Sequence, residues 1–284
     1  MTEKYRDRKF KIEMLLARAG LLFSSPPADL KPVFIVSTGR TGTQFLAEFF
    51  DHYQETMAFH EPSPSFLRKA LKYVRGEIPF NKMKILLQKR RLPYFNLAKR
   101  KGCNYYIEAN NRLFPMLAPL EKAFPEARVI HIVRDGRDYV RSGMSRNWYT
   151  EEDETRRLKS MAVPEDPWHE EWHSMSRFEK ICWRWQKKNE FIAKNIDNFD
   201  HSLTVKFEDI FHSNDNRGLR RIADFIGLDS NTTDLLIEKL ISQKINANKR
   251  YEIPKWTEWS LNRQKAFDKI AGSHMRQYYN YEWN

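Results

Sequence analysis

The stretch that most constrains this chain is a strand running into a glycine turn and then a helix. Val33-Phe34-Ile35-Val36 is a short unbroken apolar run, which reads as a strand buried on both faces. Ser37-Thr38-Gly39-Arg40-Thr41-Gly42-Thr43 follows, and Phe45, Leu46, Phe49 and Phe50 then recur at helical spacing. Successive backbone N–H groups of such a turn converge on one point, and the helix dipole adds positive potential there. The result is an anion site, most often for phosphate. Gly39 and Gly42 remove side chains that would block close approach of the backbone. The turn lacks the Gly-Lys-Ser/Thr ending of a nucleoside-triphosphate loop, and its cation is Arg40. That argues against ATP with magnesium. The plain alternative is an ordinary glycine-containing strand-to-helix turn.

Strands and helices alternate along the rest of the chain. Short strands are expected at 56–60, 105–107, 128–133 and 202–207, after the first at 33–36. Helical spacing covers 43–53, 65–101, 112–123, 137–147, 177–195, 216–226, 232–242 and 262–278. Such alternation predicts an α/β fold with a mostly parallel sheet covered on both faces. Residues 1–30 read as a short amphipathic helix and a Ser24-Ser25-Pro26-Pro27 linker, and 31–284 as a single domain. The length of 284 residues fits that organisation.

A second turn follows the strand Arg128–Val133: Arg134-Asp135-Gly136-Arg137-Asp138-Tyr139-Val140-Arg141-Ser142. Arg134 stands at a strand's carboxyl end, where open parallel sheets bind ligands. Ser142 comes eight residues later, about two helical turns on. A guanidinium and a hydroxyl so placed can hold a second phosphate. The alternative is that Arg134, Asp135, Arg137 and Asp138 form surface ion pairs.

Together these two turns resemble the sulfotransferases that use 3′-phosphoadenosine 5′-phosphosulfate (PAPS). The resemblance extends from about Lys31 to the carboxyl terminus, through Leu203–Asp209, Ile222–Leu228 and Arg276–Glu282. It implies a P-loop-like domain, with the 5′-phosphosulfate held by Gly39, Arg40, Thr41, Gly42, Thr43 and Gln44, and the 3′-phosphate by Arg134, Ser142 and Arg146. Lys249 and Arg250 fall where the family often places a basic segment that closes over the cofactor. The product would be adenosine 3′,5′-bisphosphate, and no metal would be required. Two departures stand out: Gln44 replaces a usual hydroxyl residue, and Phe207 a tyrosine found in some relatives.

The resemblance is closer to tyrosylprotein and carbohydrate sulfotransferases than to the small-phenol type. Glu61 lies 21 positions after Arg40, the offset at which the tyrosylprotein enzymes carry their catalytic glutamate. Glu61 is therefore the expected general base, and Arg40 the catalytic cation that meets charge developing in transfer. His60 is the neighbouring alternative. In a strand, adjacent side chains point to opposite faces, so only one of the two is expected to face the site. Glu108 and Asn110 either face the acceptor or cap the following helix. Trp183 and Trp185 are expected to pack in the core.

Charge separates cofactor from acceptor. The formal net charge is +12, yet residues 62–101 carry twelve basic side chains against Glu77 alone. Residues 1–61 hold 8 basic and 8 acidic side chains, and 102–284 hold 29 and 28. So local an excess does not suit a nucleic-acid-coating protein. Directly after Glu61, it suits attraction of an acidic acceptor (glycan, peptide or lipid) or peripheral contact with an anionic membrane. Two cysteines make no disulfide framework, and no apolar run makes a signal or spanning helix, so a cytoplasmic location, free or peripheral to the inner face of the membrane, is expected. His169-Glu170-Glu171-Trp172-His173 fits the zinc-protease pattern but has polar surroundings and no evident third ligand. Residues 149–176 read instead as a lid. The rivals are a phosphotransferase or nucleotide hydrolase on the same fold, and a non-catalytic polyanion or membrane binder.

Overall fold

The computed structural model describes residues 8–19, 29–150, 165–240, 251–280 and 283. In chain order the elements are α1 (Arg8–Ala19), β1 (Lys31–Ser37), α2 (Thr43–Phe50), β2 (Thr56–His60), α3 (Leu67–Val74), α4 (Phe80–Arg100), β3 (Tyr105–Ala109), α5 (Leu117–Ala123), β4 (Arg128–Val133), α6 (Gly136–Met144), α7 (Arg177–Ile196), β5 (His201–Lys206), α8 (Phe207–Phe211), α9 (Arg217–Ile226), α10 (Ser230–Leu240) and α11 (Leu261–Tyr279). The strands assemble in the order β2-β3-β1-β4-β5. The pairs β1–β3, β1–β4 and β2–β3 are all parallel. The chain leaves β1 toward one edge and β4 toward the other. The point where strand order reverses is therefore between β1 and β4, where such sheets bind ligands.

Two compact units divide the chain, one within Met1–Ile132 and Ile192–Ile245 and the other within Val133–Phe191 and Asn246–Asn284. In the first unit, alternate residues of each strand enter different cores, as the period of two requires. Phe34, Val36, Met57, Phe59, Tyr106 and Val129 pack with residues of α1, α4 and α5. Val33, Ile35, Ala58, Ile107, Ile130 and Ile132 pack with α2, α9 and α10. Burial on both faces explains why β1 reads as an unbroken apolar run. The second unit has its own core of Val133, Tyr139, Trp183, Trp185, Phe267 and their neighbours.

Two helical expectations need correction. The stretch 65–101 is not one helical run: it breaks between α3 and α4, where Gly76 takes φ +72° and Pro79 precedes the first helical residue. The helix expected from 112 begins as a short tight turn at Phe114–Met116, with Pro115 at its start, before α5. Residues 20–28, 151–164 and 241–250 lie outside the described residues, and with them the Ser24–Pro27 linker, half of the proposed lid, and Lys249 and Arg250. Among the described residues no helix is long and apolar enough to cross a membrane.

Candidate active site

The glycine turn is braced from within. Ser37 ends β1, and its Oγ accepts from the Gly39 N–H at 3.1 Å and the Thr41 hydroxyl at 2.7 Å. Ser37, Thr38 and Thr41 are all buried. Gly39, Arg40 and Gly42 take φ of +89°, +61° and +69°. A positive φ is uncommon for arginine, and a run of such residues turns the backbone N–H groups toward one side. Gly42 caps α2 with φ +69° and ψ +21° and offers no side-chain cap, so the first turn of that helix opens directly from the glycine turn. This arrangement fits a tetrahedral anion such as a phosphosulfate. Phe211 of α8 closes the back of the turn. A β-carbon on Gly42 would stand 2.5 Å from its ring, so glycine is required by contact as well as by φ. Gln44 reaches along α2 to Glu48 at 3.2 Å.

Glu61 follows β2 directly. Its N–H donates to the Ala109 carbonyl at 3.2 Å, but its φ is +45°, so the backbone has left the strand conformation. The expectation that only one of His60 and Glu61 faces the site presumed extended backbone. His60 Nε2 lies 3.2 Å from the Thr43 hydroxyl of the turn. Glu61, meanwhile, is held by Asn111, whose Nδ2 donates to Oε1 at 2.8 Å. The same Asn111 side chain lies 3.6 Å from where a Gly39 β-carbon would sit. Both residues therefore reach groups of, or next to, the glycine turn. Burial above all, with a smaller push from the Arg112 guanidinium, brings the His60 pKa down to about 4. The imidazole is neutral at neutral pH.

Arg112 makes the second bond to the base candidate, Nη2 to Oε2 at 2.8 Å. Asn111 and Arg112 were not singled out from the sequence. The signal available was their place just past the carboxyl end of a strand. Their loop is set by a fully buried network. Asn110 accepts from the Arg112 N–H at 2.9 Å and donates to Glu108 at 2.7 Å. Glu108 also accepts from Arg91 at 2.7 Å and from the Tyr106 hydroxyl at 2.8 Å. Glu108 thus lies within β3, fully buried, and faces no acceptor; Asn110 shapes the loop through the Arg112 N–H, and the helical turn that follows starts at Leu113 with no side-chain cap. Arg91 is likewise removed from the basic surface of 62–101.

In the second unit, Arg134 follows β4, and its carbonyl accepts from Trp185 Nε1 at 2.9 Å. Asp135 caps α6 by accepting from the Arg137 N–H at 2.8 Å. It also pairs with the Arg137 guanidinium at 2.7 Å, which lies 3.6 Å over Trp256. These two charges are a structural pair. Ser142 is buried in α6, and Arg146 is exposed just beyond its end. Trp183 and Trp185 are core residues. His169–His173 forms turns rather than a helix, and Glu171 bridges to Lys269 at 3.2 Å. The paired face that a zinc helix needs is therefore not formed.

A parallel sheet of this strand order, with an arginine-bearing glycine turn after β1, defines a P-loop-like α/β protein. More narrowly, residues 32–233 match the Sulfotransferase family, and the chain belongs to it. No curated protein sequence matches the chain. Among solved structures, sulfotransferase STF9 from Mycobacterium avium aligns over 98% of this chain and 86% of its own, with 11% identity and a TM-score of 0.57. Sulfotransferase STF1 from Mycobacterium tuberculosis aligns over 92% and 82%, with 13% identity and a TM-score of 0.51. The sulfotransferase domain from the curacin biosynthetic pathway aligns over 90% and 99%, with 11% identity and a TM-score of 0.50. The chain is thus a sulfotransferase, PAPS-dependent as its family is.

Proposed function

We propose that this enzyme moves the sulfuryl group of PAPS to a hydroxyl or amine of an acidic or membrane-borne acceptor (a carbohydrate, a peptide or a lipid), with Glu61 as the general base. One observation carries the base assignment. The Glu61 carboxylate is fixed by two bonds of 2.8 Å, from Asn111 and Arg112, and Asn111 itself lies against Gly39 of the anion turn. A carboxylate held this way keeps lone pairs for an acceptor proton and needs no reorganisation to receive it.

The roles of this chain's residues follow. The turn Gly39–Gln44, with Arg40 and the backbone N–H groups that follow Gly39, whose own N–H is taken by Ser37, would hold the 5′-phosphosulfate and oppose charge developing on its oxygens. The bound cofactor supplies the activated sulfuryl group. Arg134, Ser142 and Arg146 are assigned to the 3′-phosphate on the resemblance, and Lys249 and Arg250 to closure over the cofactor. Glu61 takes the acceptor proton as the new S–O or S–N bond forms, and adenosine 3′,5′-bisphosphate leaves. The fixed cations supply the positive charge, so no metal enters this reading. Two buried thiols, Cys103 and Cys182, suit the reducing cytoplasm in which we place the reaction.

Two measurements test this together. Adenosine 3′,5′-bisphosphate should raise the thermal midpoint without magnesium, whereas ATP with magnesium should do little. The reverse pattern would favour a phosphotransferase. Glu61→Gln should keep the bisphosphate shift but lose roughly a hundredfold or more of sulfuryl transfer from labelled PAPS in an acceptor screen. Full transfer by that variant would refute the base assignment.

A further inference from the structure

The α3–α4 hairpin exposes apolar and basic side chains side by side. Phe66, just before α3, and Ala70 within it are buried, while Leu67 and Val74, seven residues apart and so on one face, are 46% and 40% exposed. Arg68, Lys72 and Arg75 form the adjoining row, also exposed. Across the turn, Phe80 is 40% and Ile85 47% exposed on the first turns of α4. Lys82 and Lys89, three before and four after Ile85, share its outward face. The turn is anchored by buried Ile78 and by the Gly76 and Glu77 N–H groups, which donate to Tyr73 and Lys72 carbonyls at 2.9 Å. Glu77, the one acid of residues 62–101, is neutralised by Lys72 at 3.1 Å.

We propose that this hairpin is a docking surface for an anionic phospholipid bilayer, with Leu67, Val74 and Phe80 entering the interface and the flanking cations meeting lipid phosphates. Each alternative occupant fits half of the surface. A soluble polyanion such as an acidic glycan uses the cations but gives the exposed Leu, Val, Phe and Ile side chains nothing to bury. An apolar groove of another protein, or a second copy of this chain, would set the cations against apolar surface or against one another. A bilayer interface takes both, because lysine and arginine stems lie along apolar surface while their heads reach the headgroups. This docking does not depend on which residue is the catalytic base.

The test uses the full-length protein and sedimentation with vesicles of phosphatidylcholine, with or without added phosphatidylglycerol. Phosphatidylglycerol vesicles should carry the protein down, and added salt should release it. Lys82→Glu and Lys72→Glu should each weaken partitioning by at least about fivefold, the scale of one charge at such a surface. Leu67→Ser/Val74→Ser/Phe80→Ser should weaken it by roughly tenfold or more, with retention on heparin unchanged. Adenosine bisphosphate should still raise the thermal midpoint of every variant, which separates lost docking from lost folding. Equal binding to both vesicle types, or none, would overturn the proposal. So would wild-type vesicle binding by the triple serine variant, which points to a soluble polyanion. A self-association equilibrium that the same serines abolish would overturn it in favour of a second copy. Should the triple variant not fold, Val74→Ser alone and the two charge reversals decide the matter by the same criteria.

Discussion

Arg112 connects the proposed base to the buried interior. Its guanidinium holds Glu61 Oε2 at 2.8 Å, while its own N–H is held by Asn110, which donates in turn to buried Glu108. The pair is only partly buried, with Arg112 30% and Glu61 15% exposed, so its worth lies in aim rather than in stability. Arg112→Ala should therefore leave the thermal midpoint and the adenosine bisphosphate shift nearly unchanged. Its turnover should fall by about ten- to a hundredfold, the scale of a misplaced catalytic group. The acid limb of its rate profile should move to higher pH, because a cation favouring the charged carboxylate is gone. Arg112→Lys should restore the pH limb better than the rate, since an ammonium keeps the charge without the planar fork. A turnover loss with no movement of the acid limb would assign Arg112 to acceptor binding instead.

At the scale of elements, the turn between β1 and α2 is where local conformation and packing meet. Gly42 has φ +69° and Gly76 has φ +72°, nearly the same backbone. A β-carbon at Gly76 meets nothing within 4 Å, whereas one at Gly42 stands 2.5 Å from Phe211. Gly76→Ala should therefore cost about 1–2 kcal/mol, the left-handed term alone. Gly42→Ala should cost clearly more in urea unfolding and should also weaken the bisphosphate shift. Adding Phe211→Ala should recover the packing part and leave the backbone part. Equal costs at the two glycines would mean that Phe211 does not brace the turn. This contact was not legible in the sequence, because its partners lie 169 positions apart. Local pattern did show β1, β2 and β4, whose burial is written in apolar runs, and the carboxyl-end turns that follow. Three features stayed hidden, each set by tertiary context: the left-handed Glu61, the buried pairing of Arg91 with Glu108, and the Asn111–Arg112 clamp. Gly76 and Pro79 did mark the α3–α4 break, but the basic, helix-favouring composition around them masked it.

For the whole molecule, charge and pH act through different residues. The net charge of +12 sits mostly at 62–101, far in sequence from Arg134 and Ser142, and bears on the acceptor and its surface more than on the fold. The pH response of folding runs through His60, half-buried against the Thr43 hydroxyl, with a folded pKa of about 4. The unfolded chain takes up this proton near pH ~6.5. Between about pH 6.5 and about 4 the unfolded state therefore binds the proton and the folded state does not, so stability falls as pH falls through that window. Above it the residue contributes no slope. His60→Gln keeps a polar group for the Thr43 hydroxyl but cannot be protonated. In urea unfolding at about pH 7 and about pH 5, the wild type should lose more stability than the variant, and the difference between them is the His60 contribution. Because that difference cancels every carboxylate and the other histidines, a pH slope identical in the two proteins would mean that the imidazole is not buried in its neutral form. The Thr43 hydroxyl would then be held by something other than His60, and the turn's response to acid would have to originate elsewhere in the first unit.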